Sequence, residues 1–143
     1  MDPTKQEIID RLLEFVPEGD PVAEIRLVRR VQDGGHALLG VCWGEVITLA
    51  LDEIAEAAQE AGADPEDVLL QVFFHEYHHF LAHHLAESLH REPALDDETT
   101  ELQAESWARL MMERVGRSDR MIDRPDHGYL DRGEIKMRWK PEV

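Results

Sequence analysis

The chain has 143 residues, 43% of them hydrophobic, which suits one domain with a single core and excludes a disordered chain. Its 15 basic and 31 acidic residues give a formal charge of −16, a field that repels phosphate backbones and anionic membranes. No apolar run approaches the roughly 20 residues needed to span a bilayer, and a single cysteine, Cys42, excludes an intramolecular disulfide or a cysteine-rich zinc knuckle.

Polar Met1–Gln6, with Pro3, does not read as a secretory signal, so the expectation is a cytoplasmic protein, with no nucleic-acid or membrane partner. Thr4 followed by Glu7 is a capping-box pattern, and Ile8, Leu12 and Val16 recur at helical spacing until Pro17, Gly19 and Pro21 stop the helix. A strand is predicted over Val22–Val31, followed by a turn at Asp33-Gly34-Gly35. The apolar run Ala37–Leu51, broken by Gly40 and Gly44, predicts two short strands or one bulged strand, so an antiparallel arrangement of two or three strands is expected.

Asp52 is placed to cap a short helix that Gly62 ends. Asp64-Pro65 gives an N-cap and a proline at the first helical position, opening a helix that runs to about Leu89. Val68, Leu69, Val72, Phe73, Phe80 and Leu81 give it a broad apolar surface. A further helix is predicted from about Asp97 to Val115, with Leu102, Trp107, Leu110 and Met111 turned to the core and Gly116 at its end. The stretch 117–143 is charged and irregular, although Tyr129, Ile135, Met137 and Trp139 imply that part of it docks. No inter-domain linker interrupts the chain, which reads as one domain over 1–143.

His75-Glu76-Tyr77-His78-His79 contains the pattern His-Glu-x-x-His inside the strongest helix of the chain. Residues four apart share a helix face, so the imidazoles of His75 and His79 can converge on one metal ion. Glu76 is turned about 100° from His75 around the axis, where its carboxylate can reach a water on the metal without coordinating the metal itself. Zinc brings the pKa of such a water to about 7, and the carboxylate then serves as the base. A catalytic zinc takes three protein ligands and keeps one position open.

The third ligand must come from elsewhere. His83 continues the face but lies a further turn along, and His90 serves only if the chain bends back. Glu98, Glu101 and Glu105, spaced three and four apart on the next helix, are better candidates, and Glu101 is the central one. Glu105 is then placed to accept a proton from a ligand histidine, as a carboxylate behind a metal ligand does.

The segment Val46–Met112 resembles zincin-type metallopeptidases of the gluzincin kind, most closely the small ImmA/IrrE-type family. In that family a His-Glu-x-x-His helix is followed by a helix with Glu-x-x-Ala-Asn-x-Phe-Ala, then Leu-Leu-Met-Pro. Here Glu101-Leu102-Gln103-Ala104-Glu105-Ser106-Trp107-Ala108 and Leu110-Met111-Met112 are similar. The chain has His78 where the family often has glycine, Glu105 for asparagine and Glu113 for proline, and it carries no helix-turn-helix segment. The resemblance implies an α+β, minimal zincin-like domain: a small antiparallel or mixed sheet packed on helices, with the metal motif on a central helix. It implies one zinc ion per chain on His75, His79 and Glu101, with Glu76 as catalytic base, and hydrolysis of a peptide bond in a protein or peptide substrate. The alternative expectation is a zinc-binding regulatory or protein-interaction module with the same fold and no productive catalysis. Either leaves room for a regulatory protein partner.

Other residues carry weaker expectations. Cys42 reads as a structural cysteine before a removable zinc-blocking thiolate. His78, His83 and His84 read as a wet helix face before an auxiliary metal site. His127 or Tyr129 could donate to an oxyanion. Glu45–Leu51 could be an edge strand beside the cleft to which a peptide adds as a further strand, or a covered interior strand.

Overall fold

Thr4 sets the start of α1 (Lys5–Leu13): its hydroxyl oxygen accepts the Glu7 backbone N–H at 3.1 Å, satisfying one of the helix's orphan donors. The helix closes at Leu13, a turn before Val16, and only loose turn bonds from Glu14 to Val16 continue it. The computed structural model describes residues 3–33, 36–88 and 98–122. The expectations placed on His90, His127, Tyr129, Ile135, Met137 and Trp139 fall outside these.

The strands are β1 (Glu24–Val28), β2 (Val31–Asp33), β3 (His36–Leu38), β4 (Gly40–Trp43) and β5 (Val46–Ala50). They form a three-stranded sheet in the order β1-β5-β4 and a separate antiparallel pair, β2 with β3. The sheet is mixed rather than antiparallel: β5 pairs parallel with β1, Ile25 opposite Ile47, and antiparallel with β4, Cys42 opposite Ile47. The cause is the β2–β3 hairpin and β4, which together carry the chain back before β5 enters the sheet. Of the two readings of Glu45–Leu51, the edge strand is therefore set aside and the covered interior strand is the one found. Among the described residues β5 is the central strand, with Ile47 and Leu49 fully buried, and β4 is the outer one.

Leu51 turns straight from β5 into α2 (Leu51–Ala61), one residue before the expected start. Asp52 sits in the first turn instead of capping it, and accepts a hydrogen bond from Arg29 Nε at 2.9 Å. Gly62 closes α2 in the left-handed region, φ +67°, where a side chain would be strained. Asp64 then caps α3 (Pro65–Ser88) through the Glu66 backbone N–H at 2.9 Å. At about 1.5 Å per residue this helix is the longest element, and every residue from Gln71 to Tyr77 is buried. Its length is wrapped by the sheet, α2 and α4 (Glu98–Arg114). No helix among the described residues is long and apolar enough to cross a membrane.

The face of α4 turned inward is Glu101, Ala104, Glu105, Ala108, Met111 and Met112. Leu102 and Leu110, expected in the core, are instead 50% and 45% exposed. Two acidic residues occupy the inward stripe in place of apolar ones, which is why hydrophobic periodicity misplaces the helix by about a third of a turn. An aromatic cluster of Phe73, Phe74, Tyr77 and Trp107 joins α3 to α4, with Phe74 edge-on to Trp107 at 6.1 Å. Tyr77 is anchored at its far end, its hydroxyl donating to the Pro21 carbonyl at 2.7 Å. Burial and the nearby charge of Asp20 push the pKa of that hydroxyl up to about 12.

After Gly116 (φ +76°) the chain doubles back along α3. Arg117 donates to Asp67 at 2.6 Å, and the Gln71 side-chain amide clamps Ile122, accepting its N–H and donating to its carbonyl, both at 2.9 Å.

Candidate metal centre

β4 lies along α3 over the span that carries the His-Glu-x-x-His residues. At one end Gly40 meets Val72: a Cβ there would stand 2.9 Å from Val72 Cγ1 and 3.2 Å from the Thr48 carbonyl, so only glycine permits the approach. At the other end Gly44 faces His83, whose Nε2 would be 3.9 Å from a Cβ at that position. His75, Glu76 and His79 fall between these two contacts.

The helix spacing brings the His75 and His79 rings to 5.1 Å between centroids, and α4 supplies the groups that meet them. Glu101 bridges the pair: its Oε2 is 2.8 Å from His75 Nε2 and its Oε1 is 3.4 Å from His79 Nε2. One ligand atom from each of His75, His79 and Glu101 lies within 4.8 Å of the others, the only such group among the described residues. Ligands about 2.1 Å from a tetrahedral zinc are separated by about 3.4 Å, so a small ion fits with modest adjustment. Glu105, one turn beyond Glu101, presents Oε1 to His75 Nδ1 at 3.4 Å. His75 thus has one carboxylate at each ring nitrogen. The Glu98 side chain lies outside the described residues.

All five side chains are sequestered: His75 and Glu76 are fully buried, and His79, the most accessible, is 8% exposed. Three carboxyl groups, Glu76, Glu101 and Glu105, therefore gather around two imidazoles away from water. Such a collection of negative groups is costly to bury unless cations or protons compensate it. The donor set of two imidazole nitrogens and a carboxylate oxygen can hold a metal ion in that role.

Burial of the His75 ring opposes its protonation, but hydrogen bonds to Glu101 and Glu105 and the charges of Glu76 and Glu101 outweigh it. Its pKa is held well above the ordinary histidine value. A pKa raised on folding contributes stability below the unfolded value near 6.5 and loses it as pH rises through the folded value. A cation taking His75 Nε2 must displace this proton, so metal affinity should climb over the same window. Near pH 7 we expect about one proton released per ion bound, read by calorimetry in buffers of different ionisation enthalpy. A binding heat independent of the buffer would contradict the competition.

His78, His83 and His84 turn elsewhere. His78 is half-buried on the Trp107 ring, 5.9 Å between centroids, and burial followed by the charges of His79 and His75 lowers its pKa. His84 Nδ1 is 3.3 Å from Glu45 Oε1 at the β4–β5 turn, and His83 faces the same turn. Half-buried Cys42 points its thiol at the Gly44 carbonyl, 3.6 Å away, and is not among the clustered ligand atoms. Asp67 and Gln71 hold the chain after α4 against α3, a role that the sequence assigns to neither. The one signal was a glutamine inside the apolar run Val68 to Phe74.

The chain matches no protein-family model, no curated protein and no solved structure. The likeness to zincins and to the ImmA/IrrE-type family accordingly rests on the motif residues themselves.

Proposed function

We propose that the chain is a zinc-dependent metallopeptidase that hydrolyses a peptide bond in a protein or peptide substrate. The observation that carries this reading is the buried convergence of His75, His79 and Glu101, with Glu76 adjoining His75 on the same helix. Two imidazoles and one carboxylate suit zinc and leave a fourth position for water or substrate. A zinc ion there supplies Lewis acidity, polarising the scissile carbonyl and making a coordinated water acidic.

The chain's own groups do the rest. Glu76 takes the proton of the water as its oxygen attacks the carbonyl carbon, and hands it to the amine nitrogen as the C–N bond breaks. No covalent acyl-enzyme is needed. Glu105 receives the Nδ1–H of His75, fixing the ring so that Nε2 faces Glu101.

The test is digestion of a proteome-derived peptide library by the zinc-loaded chain, read by mass spectrometry. Cleavage that a chelator abolishes and zinc restores supports the reading. A zinc-loaded chain that cleaves neither peptides nor intact proteins would overturn it in favour of the second reading, a zinc-binding module without turnover. The complete burial of Glu76 favours that second reading, because a base must meet its substrate.

A further inference from the structure

Leu102, Ser106 and Leu110 lie four residues apart on the outward face of α4, and with Trp107 and Gln103 they form a groove against His78 of α3. The groove has a volume of about 480 Å³. Two leucines half in water on one stripe of an otherwise polar helix face are an apolar surface that something should cover.

The path of the chain indicates the occupant. Asp67, Gln71, Phe74 and His78 lie on one stripe of α3, spaced by four, three and four residues. The returning chain contacts this stripe in order: Arg117 at Asp67, then Ile122 at Gln71. It therefore travels along α3 toward His78 when it reaches Ile122. From Gln71 to His78 the helix advances about 10 Å. The 13 residues from Ile122 to Ile135 reach up to about 45 Å, so the groove is well within range.

The sequence beyond Ile122 has the matching pattern. In Ile135-Lys136-Met137-Arg138-Trp139-Lys140, apolar and basic residues alternate. An extended run of that kind presents one apolar and one basic side, the period of two that fits a surface apolar on one face only. Its three cations also favour contact with a chain of net charge −16.

We infer that residues 135–140 of this same chain seat Ile135, Met137 and Trp139 in the α3–α4 groove at His78, Leu102, Trp107 and Leu110, strapping together the two helices that bring His75, His79 and Glu101 into contact. Lys136, Arg138 and Lys140 then face solvent. The inference stands whether or not the metal site turns over a peptide.

The experiment uses the full chain with Met137→benzoylphenylalanine, irradiated at low protein concentration and mapped by mass spectrometry. The expected result is an intrachain cross-link to the 102–110 stretch or to His78. It should fall at least fivefold when Leu102→Asp and Leu110→Asp are added, two exposed positions whose change leaves the fold intact by circular dichroism. Should the double variant not fold, Leu110→Asp alone serves the same purpose. Cross-links between two chains would overturn the inference. So would cross-links to the apolar cavity lined by Ile8, Leu12, Phe15 and Leu69, or no cross-link at all.

Discussion

Replacing Glu76 by glutamine should cut peptide cleavage by at least about 10²-fold, and up to about 10⁴-fold, while zinc stays bound. Glutamine has the shape of glutamate and keeps two polar atoms in the same buried space, but its amide cannot take a proton from water. His75, His79 and Glu101 are untouched, so the ligand set survives the change. The measurement pairs the rate of chelator-sensitive cleavage with zinc content in the same preparation. A variant that holds zinc and cleaves at the wild-type rate would remove Glu76 from the mechanism. A variant that loses zinc would show that Glu76 supports the ion directly.

The second large effect separates Glu101 from Glu105. Both are buried on one face of α4 and both touch His75, yet they meet different ring nitrogens. Glu101 faces Nε2 and also reaches His79, whereas Glu105 stands behind the ring at Nδ1. Glu105→Gln should therefore weaken zinc by about 10–100-fold, the usual cost of disturbing a carboxylate behind a ligand. Glu101→Ala should cost more than that, because it removes a ligand and leaves His75 without its shortest hydrogen bond. Competition with a zinc-binding dye gives both affinities. Equal losses, or a greater loss for Glu105→Gln, would reverse the assignment.

Local signals were legible in the sequence because they act over a few residues. The cap at Asp64 with Pro65, the stop at Gly62 and the His-Glu-x-x-His spacing each define geometry within one or two helical turns, and the helices stand where these signals put them. The group His75, His79 and Glu101 combines one such local pair with one long-range partner. Spacing on α4 brought the choice down to Glu98, Glu101 and Glu105, but the register of α4 against α3 decides which carboxylate reaches both rings.

What escaped the sequence was non-local. The parallel pairing of β1 with β5 joins strands separated by a hairpin and a further strand, and no turn residue encodes it. The burial of β5 had a signal in the nearly continuous apolar run Val46 to Leu51, which suits a central strand better than a half-exposed edge. On α4 the acidic stripe was the misleading element. The sequence turns Glu101 and Glu105 toward the histidines and also offers Leu102 and Leu110 to the core, but one helix face cannot serve both, and burial of the two carboxylates against His75 and His79 leaves the leucines outward.

The most direct test of the central claim is zinc content per chain, measured by elemental analysis on wild type and on His79→Ala after reconstitution and removal of excess metal. The account predicts about one zinc per wild-type chain and a large loss in the variant. Wild type that retains no zinc, or a variant that retains as much as wild type, would contradict it.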